Sequence, residues 1–182
     1  MALTQHRYVA LLRGVNVGGK TIIKMADLRY RFESFGLADV ATYIQSGNVL
    51  FTSGEADTER LANELEKKLE ASLGHRGKVF VLSPAQLQEA ADNNPFDPQS
   101  LDQEQRCQLL FLSREPDAVH REELMGLQGE EYRFAIRGKV LYYAYPRAFE
   151  GRRRTLNFEK VLGVTGTARN WKVVAKLIEL AR

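Results

Sequence analysis

Short apolar runs separated by turn-forming residues predict strands in the N-terminal half, and two amphipathic stretches predict helices between them. The predicted strands are Tyr8–Leu12, Val40–Gln45, Val49–Thr52 and Lys78–Leu82. Apolar residues recur at helical spacing from Met25 to Phe35, and again from Leu61 to Leu73 behind the capping residue Asp57. The resulting order is β-α-β-β-α-β, which is the split arrangement of a ferredoxin-like domain.

The first strand is apolar at every position, so both of its faces should be covered. A ferredoxin-like sheet carries its helices on one face only. We therefore expect the second domain to cover the other face, with a dimer partner as the alternative.

The C-terminal half predicts a second, smaller α+β domain. A helix begins at Ser83-Pro84 and ends at Asn93, and a proline-containing polar stretch follows it. The predicted organisation is a ferredoxin-like domain over 1–92, a linker over 93–105, and a second domain over 106–182. In that second domain the pattern predicts a strand, a helix, a hairpin turning at Gly138, and two closing helices, Asn157–Leu162 and Asn170–Leu180.

Composition places the chain among ordinary globular proteins. Its 182 residues are 44% hydrophobic and 27% charged, with a formal net charge of +3. Cys107 is the single cysteine, so an internal disulfide is excluded and a reducing compartment is indicated. No apolar run reaches the roughly 20 residues that span a bilayer. We therefore predict a cytoplasmic protein without a membrane partner, and its oligomeric state is left open.

The segment Gly14–Thr21 matches the Walker A pattern letter for letter. In a P-loop, however, the helix begins at the lysine of that motif, so that free N–H groups face the phosphates. Here Thr21, Ile22 and Ile23 are poor helix formers, and the amphipathic pattern starts only at Met25. A glycine-rich turn, or a loop that binds another anion, fits this stretch better than a nucleotide triphosphatase.

Polar residues set among glycines form the candidate ligand site. In the predicted topology the end of the first strand lies beside the start of the third, so loop 14–20 and turn 45–48 should meet at one end of the sheet. Segment 167–171 would add charge if it reaches the same cleft. The candidate ligand-binding residues are Arg13, Asn16, Gly18, Gly19, Lys20, Gln45, Ser46, Asn48, Arg169 and Asn170. A small anionic ligand, phosphorylated or not, is the expected occupant.

Three of these motifs also carry a family resemblance. The stretches are Leu11–Lys20 with Met25–Leu28 behind it, Tyr43–Val49, and Thr167–Trp171. In this order they resemble the bacterial domain-of-unknown-function family 1697. The resemblance implies a two-part α+β fold and little about activity, because that family is uncharacterised. Family members typically carry Asn at the position of Thr21 and a Ser-Lys pair in the stretch 152–154, which is three arginines here.

Other functions remain open alternatives. Residues 147–182 contain nine basic and three acidic residues, so a nucleic-acid-binding face is one alternative. A scaffold whose motifs are purely structural is another. Stacking of RNA bases on the first sheet is disfavoured, because Phe51 should lie under the helices. The three histidines, His6, His75 and His120, are expected at the surface without metal-ligand spacing, and Cys107 is expected to be buried. Whether the protein catalyses a reaction, and with which cofactor, is left undetermined.

Overall fold

The computed structural model describes residues 4–17, 22–96, 105–129, 132–149 and 156–182. It divides into two compact units, residues 1–89 together with 176–182, and residues 90–175. The fold is mixed α+β, and the described residues form two four-stranded antiparallel sheets and six α-helices. The predicted linker 93–105 falls largely outside the described residues.

The first unit contains the first sheet and its helices. Its elements are β1 (His6–Leu12), α1 (Met25–Ser34), β2 (Ala38–Tyr43), β3 (Asn48–Ser53), α2 (Thr58–Leu73), β4 (Val79–Leu82) and the start of α3 (Pro84–Asp92). The strand order is β2-β3-β1-β4, and β1 is antiparallel to both β3 and β4. β1 and β3 are therefore central neighbours, as the sequence predicts.

The core of the first unit lies between its sheet and two well-formed helices. Asp57 caps α2 by accepting hydrogen bonds from the backbone N–H groups of Glu59 and Arg60. The buried stripe of α2 consists of Leu61, Leu65 and Leu69. Phe51 is fully buried and lies edge-on to Phe32 of α1, with ring centroids 5.6 Å apart. The expectation that Phe51 lies under the helices is confirmed.

The second unit repeats the strand order of the first. Its elements are β5 (Gln105–Leu112), α4 (Ala118–Met125), β6 (Arg133–Arg137), β7 (Val140–Pro146), a 3₁₀ turn (Arg147–Phe149), α5 (Phe158–Leu162), β8 (Gly166–Asn170) and α6 (Trp171–Leu180), the last of which continues into the first unit. The strand order β6-β7-β5-β8 corresponds position by position to β2-β3-β1-β4. The two units show this correspondence in structure although the sequence contains no detectable internal repeat.

Both faces of each central strand are buried. On β1, Val9 and Leu11 are as fully buried as Ala10 and Leu12, which confirms that both faces are covered. On β5, Leu110 and Leu112 belong to an aromatic-rich core that also contains Tyr132, Phe134 and Tyr143. Cys107, on the other face of β5, is buried as expected, and burial raises the pKa of its thiol.

The C-terminal region differs from the prediction of two consecutive closing helices. Strand β8 lies between α5 and α6 and pairs with β5, Leu110 opposite Ala168 and Leu112 opposite Gly166. The stretch Gly166–Asn170 lacks the apolar alternation from which a strand can be predicted. Its conformation follows from tertiary pairing rather than from local preference.

Candidate functional site

The glycine-rich loop begins where β1 ends. Gly14 has φ of 73°, a left-handed conformation that turns the chain away from the sheet at low cost. The backbone N–H of Arg13 donates to the carbonyl oxygen of Lys78 at 2.9 Å, and Val15 is buried. The backbone at the start of the loop is therefore anchored to the sheet.

Asn16 closes the base of this loop through its side chain. Its Nδ2 donates to the carbonyl oxygens of Ile23 at 3.0 Å and Gln45 at 2.9 Å, and its Oδ1 accepts from the backbone N–H of Ile23 at 2.8 Å. Asn16 itself is left-handed, with φ of 55°, a conformation that asparagine tolerates better than most residues. These three hydrogen bonds join the two ends of segment 17–22 and tie them to the turn after β2.

That turn, Gln45–Asn48, meets the loop at the end of the sheet. The backbone N–H of Leu12 donates to the carbonyl oxygen of Gly47 at 2.8 Å. Gly47 has φ of 72°, and a Cβ there would lie 3.0 Å from the side chains of Leu12 and Val15. Loop and turn are therefore packed against each other, as the predicted topology requires.

The buried side chain of Asn48 stabilises the turn through hydrogen bonds. It is fully buried, and its Nδ2 donates to the carbonyl oxygen of Tyr43 at 3.1 Å and to Oγ of Ser46 at 3.0 Å. Its amide thus holds the hairpin closed. The side chain of Gln45 is exposed, whereas Arg13 and Ser46 are half-buried.

The backbone beside this turn is strained. Ile44 has φ of 49° although it is β-branched, and it is 46% exposed. A left-handed conformation is a genuine outlier for such a residue and costs about 1–3 kcal/mol. Val17 and Ile22, at the two ends of the closed loop, are also exposed, at 72% and 76%. Strain and exposed aliphatic side chains therefore occur together where the sequence predicts a site.

The helix that follows the loop begins at Met25, after the uncapped residue Lys24. This late start confirms the argument against a P-loop, in which the helix begins at the motif lysine. Gly18, Gly19 and Lys20, three of the candidate ligand residues, lie outside the described residues.

Arg169 and Asn170, the candidate residues of the second unit, end β8. Arg169 is 7% exposed, and its Nη1 donates to Oγ1 of Thr167 and to the carbonyl oxygen of Ala168, both at 2.8 Å. Burial lowers the pKa of its guanidinium to about 10. Oδ1 of Asn170 accepts from the backbone N–H of Val173 at 2.9 Å, which is a helix cap for α6.

His75 is buried, which corrects the expectation of a surface histidine. It follows Gly74, the left-handed residue that ends α2, and it is 8% exposed. Its Nε2 has no hydrogen-bond partner among the described residues, and burial lowers the pKa of its imidazole, against the attraction of Glu66. Gly77 lies so close that a Cβ there would be 2.6 Å from this nitrogen. Because the surroundings of His75 in the sequence are polar, the sequence gave no indication that this side chain is buried.

A pocket of about 520 Å³ opens on the helix-covered face of the second sheet. Its aromatic walls are Tyr132, Tyr143, Tyr145 and Phe158, and its polar groups include Gln108, Asn157 and Glu159. Sequence reasoning missed this site. The available signal was the alternation of Tyr143 and Tyr145 on one face of β7, followed by a helix too short to cover them.

Metal-holding clusters and membrane-spanning helices are not found in the part of the chain that the structure describes. Among those residues, no group of three or more His, Cys, Asp or Glu side chains could hold a metal ion. No described helix is both long and apolar enough to cross a membrane.

The fold and these sites define an α+β protein with two antiparallel sheets of the same strand order and two candidate ligand regions. The family model described as "Protein of unknown function (DUF1697)" matches residues 5–142, and the chain belongs to that family. This confirms the resemblance inferred from the three motifs.

The chain is also similar to a solved structure, that of the conserved bacterial protein SP0830 from Streptococcus pneumoniae. The TM-score is 0.71 at 23% sequence identity, and the match covers 98% of this chain and 100% of that one. At this identity the likeness shows the fold alone. No curated protein matches the chain.

Proposed function

We propose that the protein binds a small anionic ligand, phosphorylated or not, at the glycine-rich loop of its first unit. The observation that carries the proposal is the side chain of Asn16, which bonds to Ile23 and Gln45 and so holds the residues on either side of segment 17–22 together beside the turn 45–48. A loop with fixed ends loses less conformational entropy when it binds. The left-handed Ile44 next to it is further support, because strained backbone clusters at functional sites.

The described hydrogen bonds give four of the candidate residues a supporting role. Asn16, Asn48 and Asn170 use their amides to hold loop, turn and helix, and Arg169 bonds within its own strand. In the proposal these four are scaffold. The ligand contacts are assigned to the charges of Arg13 and Lys20, to Gln45 and Ser46, and to the backbone at Gly18 and Gly19.

We also propose that both compact units are ferredoxin-like domains. The supporting observation is that each has the element order β-α-β-β-α-β and the same strand order. The proposed function does not depend on this classification, because the loop and the turn belong to one unit.

The proposed anion binding can be tested by isothermal titration calorimetry. The probes are inorganic phosphate, adenosine monophosphate, glucose 6-phosphate and a single-stranded oligonucleotide. We expect one small anion to bind wild type, and Lys20→Ala to weaken it about tenfold, the loss expected for one charged hydrogen bond. Lys67→Ala is the charge-matched control, because Lys67 is exposed on α2. Equal binding by wild type and Lys20→Ala contradicts the proposal.

The same titration separates the alternatives. Binding of only the oligonucleotide, with a steep loss of affinity as salt is added, assigns the protein to the nucleic-acid class. No binding by any probe, together with a change only in melting temperature for Lys20→Ala, assigns the loop a structural role.

A further inference from the structure

The pocket of the second unit contains a tyrosine hydroxyl that is available to a ligand. Tyr143 is 9% exposed, lines the pocket, and its hydroxyl makes no hydrogen bond to any described residue. Burial, reinforced by the nearby Tyr145 and Tyr132, raises the pKa of this phenol, so it is a neutral donor at physiological pH. A donor that faces a pocket without a protein partner is available to an acceptor on a ligand.

The walls of the pocket are suited to a flat ring. Tyr143 and Tyr145 are stacked, with ring centroids 5.9 Å apart and an angle of 18° between their planes. Phe158 lies 4.6 Å from Tyr143, centroid to centroid. Aromatic rings gain stacking or edge-to-face contacts with another ring beyond the area that they bury. The volume of about 520 Å³ falls within the range of small-molecule sites.

The charge and polarity of the lining residues restrict the chemical class of the ligand further. Among the described residues that line the pocket, Glu159 is charged and no lysine, arginine or histidine is present. Its Oε1 accepts from the backbone N–H of Gly166 at 2.7 Å, so the carboxylate is fixed in place. The described lining therefore offers an anion no cationic partner. The amides of Gln108 and Asn157 offer donors and acceptors, which favours a heterocycle over a hydrocarbon.

We propose that this pocket binds a neutral, planar heterocycle of nucleobase or nucleoside size, which accepts a hydrogen bond from the Tyr143 hydroxyl. Gln108 supports the site by donating from Nε2 to the Tyr145 hydroxyl at 2.6 Å, which fixes the second ring of the stack. The site is separate from the anion site of the proposed function, since all of its lining residues belong to the second unit.

The neighbouring tyrosines of β7 provide a matched pair of variants. The Tyr142 hydroxyl donates to the carbonyl oxygen of Ala90 at 2.8 Å, on the opposite face of the sheet from the pocket. Tyr142→Phe therefore removes a structural hydrogen bond and leaves the pocket intact. Tyr143→Phe removes no described hydrogen bond and keeps the ring, so the variant should fold, which near-ultraviolet circular dichroism verifies.

The test is calorimetric titration of the full chain with adenosine, guanosine, cytidine and uridine, with the corresponding 5′-monophosphates, and with choline as a cation probe. We expect at least one nucleoside to bind with Kd of about 1 mM or tighter. Tyr143→Phe should weaken that binding about tenfold without lowering the melting temperature. Tyr142→Phe should lower the melting temperature and leave Kd unchanged.

Four results would overturn the proposal. They are no heat of binding for any of the four nucleosides at about 1 mM, equal affinity in wild type and Tyr143→Phe, tighter binding of a monophosphate than of its nucleoside, and binding of choline alone.

Discussion

The two units have the same strand order, yet the helix that follows their third strand differs in length. In the first unit α2 has 16 residues and buries Leu61, Leu65 and Leu69. In the second unit α5 has five residues and fully buries only Leu162. One sheet face is therefore filled by aliphatic side chains of a helix, and the other is lined by aromatic rings around a pocket. The difference in helix length thus accompanies the difference between a filled core and an open pocket on this face.

The largest expected effect comes from truncating a buried side chain of the long helix α2. Leu69→Ala should lower the free energy of unfolding by about 3 kcal/mol, because Leu69 is fully buried and its truncation leaves a cavity in the core. Phe158→Ala in α5 should cost at most about 1.5 kcal/mol, since that side chain is half-buried and borders an existing pocket. Urea denaturation followed by circular dichroism measures both, with Lys67→Ala as a surface control. Equal costs would contradict the comparison.

A smaller effect is expected from adding volume to each sheet face. Ala10 of β1 is completely buried in the first core, so Ala10→Leu should cost about 2 kcal/mol through overpacking. Ala168 of β8 lines the pocket, where Ala168→Leu has room and should cost less than about 0.5 kcal/mol. Ala168→Leu should also abolish nucleoside binding. Thermal melting of both variants provides the measurement, and a pocket variant as unstable as Ala10→Leu would show that the space is not available.

The smallest expected effect concerns the end of α2, where His75 is buried. Its pKa is lowered in the folded state, so the unfolded chain binds more protons below the ordinary histidine value of about 6.5. Stability should therefore be complete above that pH and fall as the pH drops from there toward the lowered folded pKa. Urea midpoints at several pH values should show a shallower acid-side decline for His75→Asn than for wild type. Identical declines would mean that His75 titrates alike in the folded and unfolded chains.

Elements with strong periodicity could be predicted from the sequence, and elements that depend on pairing could not. The stripe of α2 and its Asp57 cap are encoded locally, so both were predictable. Strand β8 contains Gly166, Arg169 and Asn170, and it is a strand because β5 pairs with it.

The candidate site divides in the same way. The topology already predicts that the loop and the turn meet. The role of Asn16 in joining them could not be predicted, because it depends on the left-handed backbone that the fold imposes at that residue. The pocket of the second unit depends on the shortness of α5. The sequence does predict a short helix there, but it does not show that the aromatic face beside that helix stays uncovered.

The brevity of α5 has a consequence for how the second unit assembles. A helix of five residues does not persist alone in water, because nucleation costs more than so few hydrogen bonds return. It is held by its Asn157 cap and by the bond from the Gly166 amide to Glu159. The α5 wall of the pocket therefore depends on the pairing of β8 with β5, and in the proposal a bound nucleoside reports a fully assembled unit.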